Sequence, residues 1–181
     1  MDITQLILDD HHEQRRLFSI LEQIDRSDTG TLSALWARMA VFLELHAAAE
    51  EEIFYPALLK VGSTGAEPET LDAIHDHNDI RDAVLAVPGD EVGSSRWYAA
   101  VAAVNVANGD HMAEEEREGL TDFRRLASLQ LRHDLAVAFT AFEARHYAGV
   151  PVVDKDPAAY VRAAEQQAVA GSLGIGSLKR R

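Results

Sequence analysis

The sequence contains no cysteine among its 181 residues. A disulfide framework, a thiol nucleophile and a cysteine-ligated zinc or iron–sulfur site are therefore excluded, and a reducing cytoplasmic location is expected. Basic residues are also scarce, with 17 Lys and Arg against 30 Asp and Glu and a formal net charge of −13. This balance argues against nucleic acid or an anionic membrane as the partner. It suits a protein that gathers carboxylates around cations.

Long apolar runs and strand patterns are lacking as well. The first residues, MDITQLILDDHHEQ, have neither a basic region nor a long apolar run, so we expect no signal peptide. No stretch approaches the roughly 20 apolar residues of a membrane span, and no membrane partner is expected. No window shows strand alternation, whereas alanine is plentiful and favours helix. The sequence therefore predicts an all-α protein.

Apolar residues recur at helical spacing in four long segments, which short turns containing Gly, Ser or Pro separate. This pattern predicts an up-down-up-down antiparallel four-helix bundle. A kink or a helix end is expected near Pro56, which cannot donate a backbone hydrogen bond. The predicted helices cover residues 3–26, 31–60, 68–87 and 94–119.

The rest of the chain predicts an extension of the bundle. We assign residues 1–125 to the bundle and 126–181 to a C-terminal helical extension that packs on its outside. The end of this extension is rich in Gly and Ser and is expected to be disordered. The predicted segments are a helix over 126–146, an extended stretch over 150–153, a short helix over 157–170 and a disordered tail over 171–181.

A His followed four residues later by a Glu occurs twice. His46 and Glu50 lie in the stretch HAAAEEE, and His111 and Glu115 lie in HMAEEE. Residues four apart point the same way on a helix, one turn above the other. One such pair indicates no more than a solvated helix face. Its return in a second predicted helix is much stronger evidence for a site.

The repeat extends into the preceding helices. The pattern Asp-His-x-acid-x-Arg covers residues 10–15 and returns at 76–81, and its His lies 35 residues before His46 in the first copy and 34 before His111 in the second. The two halves of the bundle are therefore predicted to be copies of one helix pair. Each copy supplies a His from its first helix and a His plus a Glu from its second.

The repeat and the apolar stripes select which neighbours face the core. His11 and His12 are adjacent, and His75 and His77 are about 200° apart around a helix, so only one of each pair can point inward. The residues predicted to share one core layer are His11, His46, Glu50, His77, His111 and Glu115.

The remaining polar residues near the repeat are given lesser roles. His12 and His75 are predicted to lie on the surface or to support the inner layer, and Arg15 and Arg81 to pair with nearby acids. Tyr55 is assigned to the core in preference to the lining of a pocket beside the site. The flanking acids are expected to face solvent or to support the inner layer, and they are Glu51, Glu52, Glu114 and Glu116.

Four imidazoles and two carboxylates in one layer suit iron or another first-row metal. Calcium and magnesium prefer shells made only of oxygen. Two carboxylates related by a pseudo-two-fold axis can bridge a pair of metals, and their burial without a cation would be costly. The sequence therefore predicts a metal centre inside the bundle.

These motifs resemble those of the hemerythrin-like family, the HHE cation-binding domain proteins, over about residues 3–125. The shared features are an Asp-His near the start, a His-x-x-x-Glu-Glu before an aromatic residue and Pro, a His in the third helix and a second His-x-x-x-Glu-Glu. The resemblance implies an antiparallel four-helix bundle with two iron ions, bridged by two carboxylates and an oxo or hydroxo group. It implies terminal ligands at His11, His46, His77 and His111 and bridges at Glu50 and Glu115.

Two departures from the oxygen-carrying members bear on function. The carriers have a further His four residues before the third-helix His, where this chain has Ala73, and an Asp at His+5 where it has Glu115 at His+4. These departures disfavour simple reversible oxygen storage. They favour peroxide or NO chemistry, or iron and oxygen sensing.

The leading hypothesis is a cytoplasmic di-iron protein that binds dioxygen or a related small oxidant. One alternative is an enzyme that decomposes hydrogen peroxide or reduces NO at the same centre. The other is a sensor in which residues 126–181 signal the metal state to a partner. The sequence shows no acid–base pair beyond the ligands and does not determine the oligomeric state.

Overall fold

The computed structural model describes residues 1–174, and every regular element in this range is helical. The all-α prediction is confirmed. A π-helical turn interrupts the α-helices once, between α2 and α3. The elements are α1 Ile3–Gln23, α2 Thr29–Ala49, the π-turn Glu50–Phe54, α3 Tyr55–Val61, α4 Ala66–Leu85, α5 Ser95–Arg117, α6 Gly119–Leu126, α7 Leu129–Arg145 and α8 Pro157–Gly174.

Short polar side chains mark several helix starts. The side chains of Asp2, Asp28, Ser94 and Ser128 each accept a hydrogen bond from a backbone N–H in the first turn of α1, α2, α5 and α7. Such caps satisfy donors that have no partner inside the helix. They explain why these helices begin within a few residues of the predicted starts.

The core consists of two apolar clusters. One cluster includes Ile3 and Ile7 of α1 together with Phe123 of α6, and the other includes Leu17 of α1 and Trp97 of α5. The helix α1 contacts α2 and α5, and α4 contacts the same two helices. Between the clusters, α1, α2, α4 and α5 all carry buried polar residues. The core therefore encloses a polar layer with apolar packing on both sides along α1.

The second predicted helix is continuous in the structure but changes its geometry after Ala49. Residues Glu50–Phe54 form a π-helical turn, in which the N–H of Tyr55 bonds to the carbonyl of Glu50. Pro56 then lies in the first turn of α3, where a missing N–H costs least. The disturbance expected at Pro56 is therefore a widened turn before it rather than a break.

The continuous helical run Thr29–Val61 is long and apolar enough to cross a membrane, judged by length and composition alone. Its most apolar window has a mean hydropathy of 1.2. No such stretch was expected from the sequence. Core helices of soluble proteins pass the same test, and this run carries His46, Glu50 and Glu51 into the protein interior. We therefore read it as a core element of the bundle.

The C-terminal residues lie against the first part of the chain. Ala136 and Phe139 of α7 are buried where α7 contacts α1 and α2, and Val161 of α8 is buried where α8 contacts α3 and α4. Residues 150–156 between them form neither helix nor strand. The division of the chain at residue 125 stays a prediction.

Two boundaries differ from the sequence prediction. A separate helix, α6, follows α5 and was not predicted. The helix α8 runs to Gly174, four residues beyond the predicted helix end at residue 170, and the disordered tail stays a prediction. Residues 175–181 of that predicted tail lie outside the described part of the chain.

Candidate metal centre

The structure brings the six predicted site residues together in the interior. Each has a relative exposure of 4% or less. They come from α1, α2, the π-turn, α4 and α5, and are His11, His46, Glu50, His77, His111 and Glu115.

Two groups of three side chains could each hold a metal ion, and they share one carboxylate. The first group is His11, His46 and Glu50, and the second is Glu50, His77 and His111. Within each group the ligand atoms lie within 4.8 Å of one another. The arrangement therefore provides two adjacent positions with Glu50 between them.

The two oxygens of Glu50 face different His side chains. Its Oε1 lies 2.9 Å from His46 Nε2 and 3.9 Å from His11 Nε2. Its Oε2 lies 3.3 Å from His77 Nε2, which is itself 3.1 Å from His111 Nε2. One carboxylate thus spans both positions, as a bridging ligand must.

Glu115 lies beside the first group but belongs to neither. Its Oε2 is 3.4 Å from His11 Nε2. Its Oε1 accepts a hydrogen bond of 2.9 Å from the hydroxyl of Tyr55. Tyr55 was expected to be a core residue only, and its fully buried ring also orients this carboxylate.

A carboxylate lies beside the Nδ1 atom of every predicted His ligand. The contacts pair His11 with Glu116 at 2.9 Å, His46 with Asp10 at 3.2 Å, His77 with Glu51 at 2.9 Å and His111 with Asp76 at 3.5 Å. A His that donates from Nδ1 presents the lone pair of Nε2 on the other side of its ring. This pattern would direct four Nε2 lone pairs towards the centre.

The Arg residues of the repeat hold two of these outer carboxylates. Arg15 Nη1 donates to Glu116 Oε1 at 2.8 Å, and Arg81 Nη2 donates to Glu51 Oε1 at 2.9 Å. The predicted pairing of both Arg side chains with acids is confirmed. Each half of the centre therefore has a chain of contacts from Arg to Glu to His.

Glu51 has further contacts with the C-terminal extension. Lys155 Nζ lies 2.5 Å from Glu51 Oε2, and the Tyr160 hydroxyl donates to the Glu51 carbonyl. Glu51 and Glu116 thus support His ligands, whereas Glu52 is exposed and Glu114 is half-exposed. The sequence did not decide which flanking acids face solvent and which support the inner layer, and the structure assigns two of them to each role.

Several inward-facing atoms of the centre find no hydrogen-bond partner among the described residues. They are His11 Nε2, His46 Nε2, both oxygens of Glu50 and Glu115 Oε2. Buried polar atoms in proteins are normally paired. Unpaired nitrogens and oxygens that face one another are the donor set a first-row metal prefers. The residues present therefore fit a metal centre.

The pKa values of the two inner carboxyls, Glu50 and Glu115, shift in opposite directions. Burial opposes ionisation of Glu50, but the charges and close contacts of His46 and His77 together outweigh burial and hold the pKa of Glu50 well below 4.5. Burial and the charge of Glu50 together raise the pKa of Glu115 well above 4.5. Two adjacent buried carboxyls ionise together only when cations compensate them. The protein alone thus leaves one carboxyl protonated where bound cations would favour two carboxylates.

The pKa values of two of the imidazoles, His11 and His46, also shift in opposite directions. Burial lowers the pKa of His11 to about 4 despite its bond to Glu116. Burial would also lower the pKa of His46, but the charge of Glu50 and the bond to Asp10 raise it well above 6.5. A neutral imidazole is the form that binds metal. His11 is therefore already in the neutral form that binds metal, whereas His46 would have to lose its proton before it could bind a cation.

Ala73, which departs from the oxygen carriers, is buried with 4% of its surface exposed. The crevice that it lines with Asp76, His111 and Glu115 has about 0 Å³ of space for a water-sized sphere. Ala73 therefore leaves no room for a water molecule in that crevice.

The sequence identified the inner residues and missed several outer ones. Asp10 and Asp76 were part of the repeat but received no role, and their position directly before His11 and His77 was an available signal. No sequence signal linked Lys155 or Tyr160 to Glu51, because that contact depends on how the extension packs. His12 and His75 are exposed, as predicted.

A family model for the hemerythrin HHE cation binding domain matches residues 2–121. Comparisons of the chain with curated proteins and with solved structures give no match. The family match covers more than half of the 181 residues and includes all six residues of the candidate centre. The chain belongs to the hemerythrin HHE cation-binding family.

Proposed function

We propose that the chain holds a non-haem di-iron centre that binds dioxygen or a related small oxidant such as peroxide or NO. One observation carries the proposal: four imidazole Nε2 atoms and two carboxyls converge in the interior, and Glu50 belongs to both three-residue groups. The family membership and the unpaired inner atoms support a bound cation. The mixture of nitrogen and oxygen donors favours iron over calcium or magnesium.

The proposed roles combine the two groups of three side chains with the ligand roles that the family resemblance implies. His11 and His46 would hold one iron and His77 and His111 the other. Glu50 would bridge the pair, and Glu115 would act as the second bridge from the side of His11. When bound, the iron pair supplies redox chemistry towards dioxygen and related molecules.

The protein's own outer contacts would prepare these ligands. A carboxylate at each Nδ1 fixes the ring orientation and makes Nε2 a better donor. The Tyr55 hydroxyl would hold Glu115 in place. The pKa of Tyr55 is raised far above 10 by burial and by the charge of Glu115, so this hydroxyl keeps its proton near neutral pH.

Sensing is a second candidate function, and the contacts of Glu51 favour it. Lys155 and Tyr160 of the C-terminal extension contact Glu51, which in turn bonds His77 Nδ1. A change at His77 could therefore be passed to the extension through one residue.

We also propose the up-down-up-down helix order and the cytoplasmic location expected from the sequence.

Iron analysis and an ultraviolet–visible spectrum of the loaded full-length protein test the di-iron proposal. We expect about two iron ions per chain and an oxo-bridge charge-transfer band. Glu50→Ala should lose most of the iron, because it removes the carboxylate common to both positions. Glu52→Ala, two residues away and exposed, should retain it. Fewer than about one iron per chain after careful loading, without the band, would contradict the proposal.

The same protein then separates the candidate functions. A stable and reversible spectrum under oxygen would favour a binding protein. Oxygen release on addition of peroxide, lost in Glu50→Ala, would favour an enzyme. Loss of a partner interaction in Tyr160→Phe, with iron and spectrum unchanged, would favour a sensor.

A further inference from the structure

An apolar cavity adjoins the proposed iron centre. Its volume is about 170 Å³, and His46, His77 and His111 form one of its walls. Its lining also includes Gly149, Val150 and Val152, which lie between α7 and α8 and outside the family match. The cavity thus lies between the site and a part of this chain that the family domain does not include.

The cavity is lined mainly by aliphatic side chains. Apart from the His wall and the segment 149–152, its apolar lining comes from two helices, α2 and α4. These residues include Ala40, Leu43, Ala47, Ile80 and Val84. Such a lining attracts apolar surface and offers little to a strongly hydrated ligand.

The charged and amide groups at the edge of the cavity are already bonded to protein. Arg81 donates to Glu44 at 2.8 Å and to Glu51 at 2.9 Å, and Asn108 donates to Gln14 at 2.8 Å. Arg81 is therefore committed to two carboxylates, one of which also faces the cavity. An anionic ligand would meet the negative charge of Glu44 there, and Arg81 is not available to compensate it.

The size of the cavity indicates a ligand larger than dioxygen. An engineered cavity of about 150 Å³ with an aliphatic and aromatic lining binds benzene. We propose that this cavity binds a small uncharged apolar organic molecule of about benzene's size against the wall of His46, His77 and His111. The reactivity of the neighbouring centre towards that molecule rests on the proposed function, whereas its binding depends only on the cavity.

Hydrogen bonds to its backbone hold the segment 149–155 in place. The side chain of Asn78 donates to the Lys155 carbonyl at 2.7 Å and accepts from the Lys155 N–H at 3.0 Å. Gly149 has a φ of +108°, a conformation that residues with a Cβ rarely adopt. The segment that contributes Gly149, Val150 and Val152 to the lining thus has a defined conformation.

Calorimetric titration of the full-length protein with benzene tests the proposal, with benzoate as the charged counterpart. We expect saturable binding of benzene at one site per chain, and for benzoate binding at least about tenfold weaker. Absence of saturable benzene binding, or equal affinity for benzoate, would overturn the proposal.

Two matched variants locate the bound benzene. Ala40→Leu adds three carbons inside the cavity and should weaken benzene binding by at least about tenfold. Ala37→Leu makes the same change one turn earlier, on an exposed position of α2 outside the lining, and should bind like the unaltered chain. Unchanged affinity in folded Ala40→Leu would overturn the assignment. If that variant does not fold, the benzene and benzoate titrations of the unaltered chain decide.

Iron content is measured on the same samples so that the two proposals fail separately. Benzene binding without iron supports the cavity ligand and contradicts the proposed centre. Iron without benzene binding leaves the centre standing and overturns the cavity ligand.

Discussion

The two halves of the candidate metal centre follow one plan but differ in how deeply they are enclosed. Glu51 and Glu116 each accept from a His Nδ1 and an Arg, yet the Glu51 side chain is 1% exposed and that of Glu116 is 27% exposed. Arg81 is 3% exposed and its counterpart Arg15 is 39% exposed. The repeated motif thus sets the contacts, while the surrounding elements set the dielectric environment in which those contacts operate.

The local geometry behind this difference is the π-turn. In the first copy the chain enters the turn Glu50–Phe54 directly after the motif, and both Glu50 and Glu51 are buried. In the second copy α5 continues as an α-helix to Arg117, so Glu115 is buried and Glu116 is partly exposed. π-turns often occur at functional sites. This one allows two successive carboxyls to face the interior.

Loss of the buried Arg should have the largest effect. Arg81→Met leaves Glu44 and Glu51 without their shared cation, so we expect the free energy of unfolding to fall by about 3–5 kcal/mol. Arg15→Met removes a partly exposed pair and should cost about 0–1 kcal/mol. Urea denaturation monitored by circular dichroism measures both. Equal losses in the two variants would show that the halves are energetically equivalent.

Removal of the charge beside a His ligand should weaken metal binding. Asp10→Asn and Asp76→Asn should each lower iron affinity by about 10–100-fold, because the outer carboxylate orients the ring and strengthens its donor atom. The larger loss is expected for Asp10, which is nearer its His at 3.2 Å against 3.5 Å and less exposed at 18% against 34%.

Competition with a chelator of known affinity measures these losses. Asp9→Asn, at an exposed position that contacts Gln5, is the control and should leave affinity unchanged. Unaltered affinity in both outer variants would contradict the proposed role of the Nδ1 contacts.

A pH-dependent difference between the halves is expected at Glu69. It lies eight residues before His77, whereas the equivalent position before His11 is Ile3. Burial and the charge of Glu118 raise the pKa of Glu69 to about 7 from 4.5. The folded state therefore holds this proton more tightly than the unfolded state. The resulting stability is complete below pH 4.5 and is lost as pH rises through about 7.

Glu69→Gln should accordingly stabilise the protein at high pH and not at low pH. We expect a gain of about 1–2 kcal/mol at about pH 8 and little change at about pH 4, measured by urea denaturation. Glu67→Gln, exposed on the same helix, should show no such dependence. A gain that is the same at both pH values would reject ionisation as its cause.

The smallest effect is expected where only one half contacts the extension. Lys155→Met removes the ion pair with Glu51 but keeps the bonds to Asn78, so the free energy of unfolding should fall by only about 0.5–1 kcal/mol. Amide hydrogen exchange at Lys155 should become faster because its segment opens more often. Lys60→Met, exposed on α3, is the control. If amide exchange at Lys155 is no faster than in this control, the ion pair with Glu51 does not stabilise the extension.

Much of the fold was predictable because the helices carry their own signals. Apolar spacing and capping residues located α1, α4, α5, α7 and the continuous run from α2 to α3 to within a few residues. The π-turn and the short helix α6 were not predictable in this way, since both replace a regular helix where the chain must turn or widen to fill the interior. The start of α8 was found from Pro157, but its end was placed too early.

Only the residues of the site that belong to the duplicated motif were predictable. Two copies of the same spacing identified His11, His46, Glu50, His77 and His111 as neighbours, and Glu115 followed by correspondence with Glu50. The structure places Glu115 beside His11 rather than within either group of three. A repeat reports equivalent positions, and it does not report how far two copies deviate from symmetry.

The sequence by itself determined the helical class, the family and the set of inner residues of the candidate centre, because these depend on local periodicity and on a duplicated spacing. Only the tertiary structure decided which outer groups support them. Glu51 became a buried junction between His77, Arg81, Lys155 and Tyr160 because a π-turn directed it inward and a distant segment packed against it. Contacts between residues 100 positions apart depend on the packing of whole helices, and spacing along the chain carries no record of that packing.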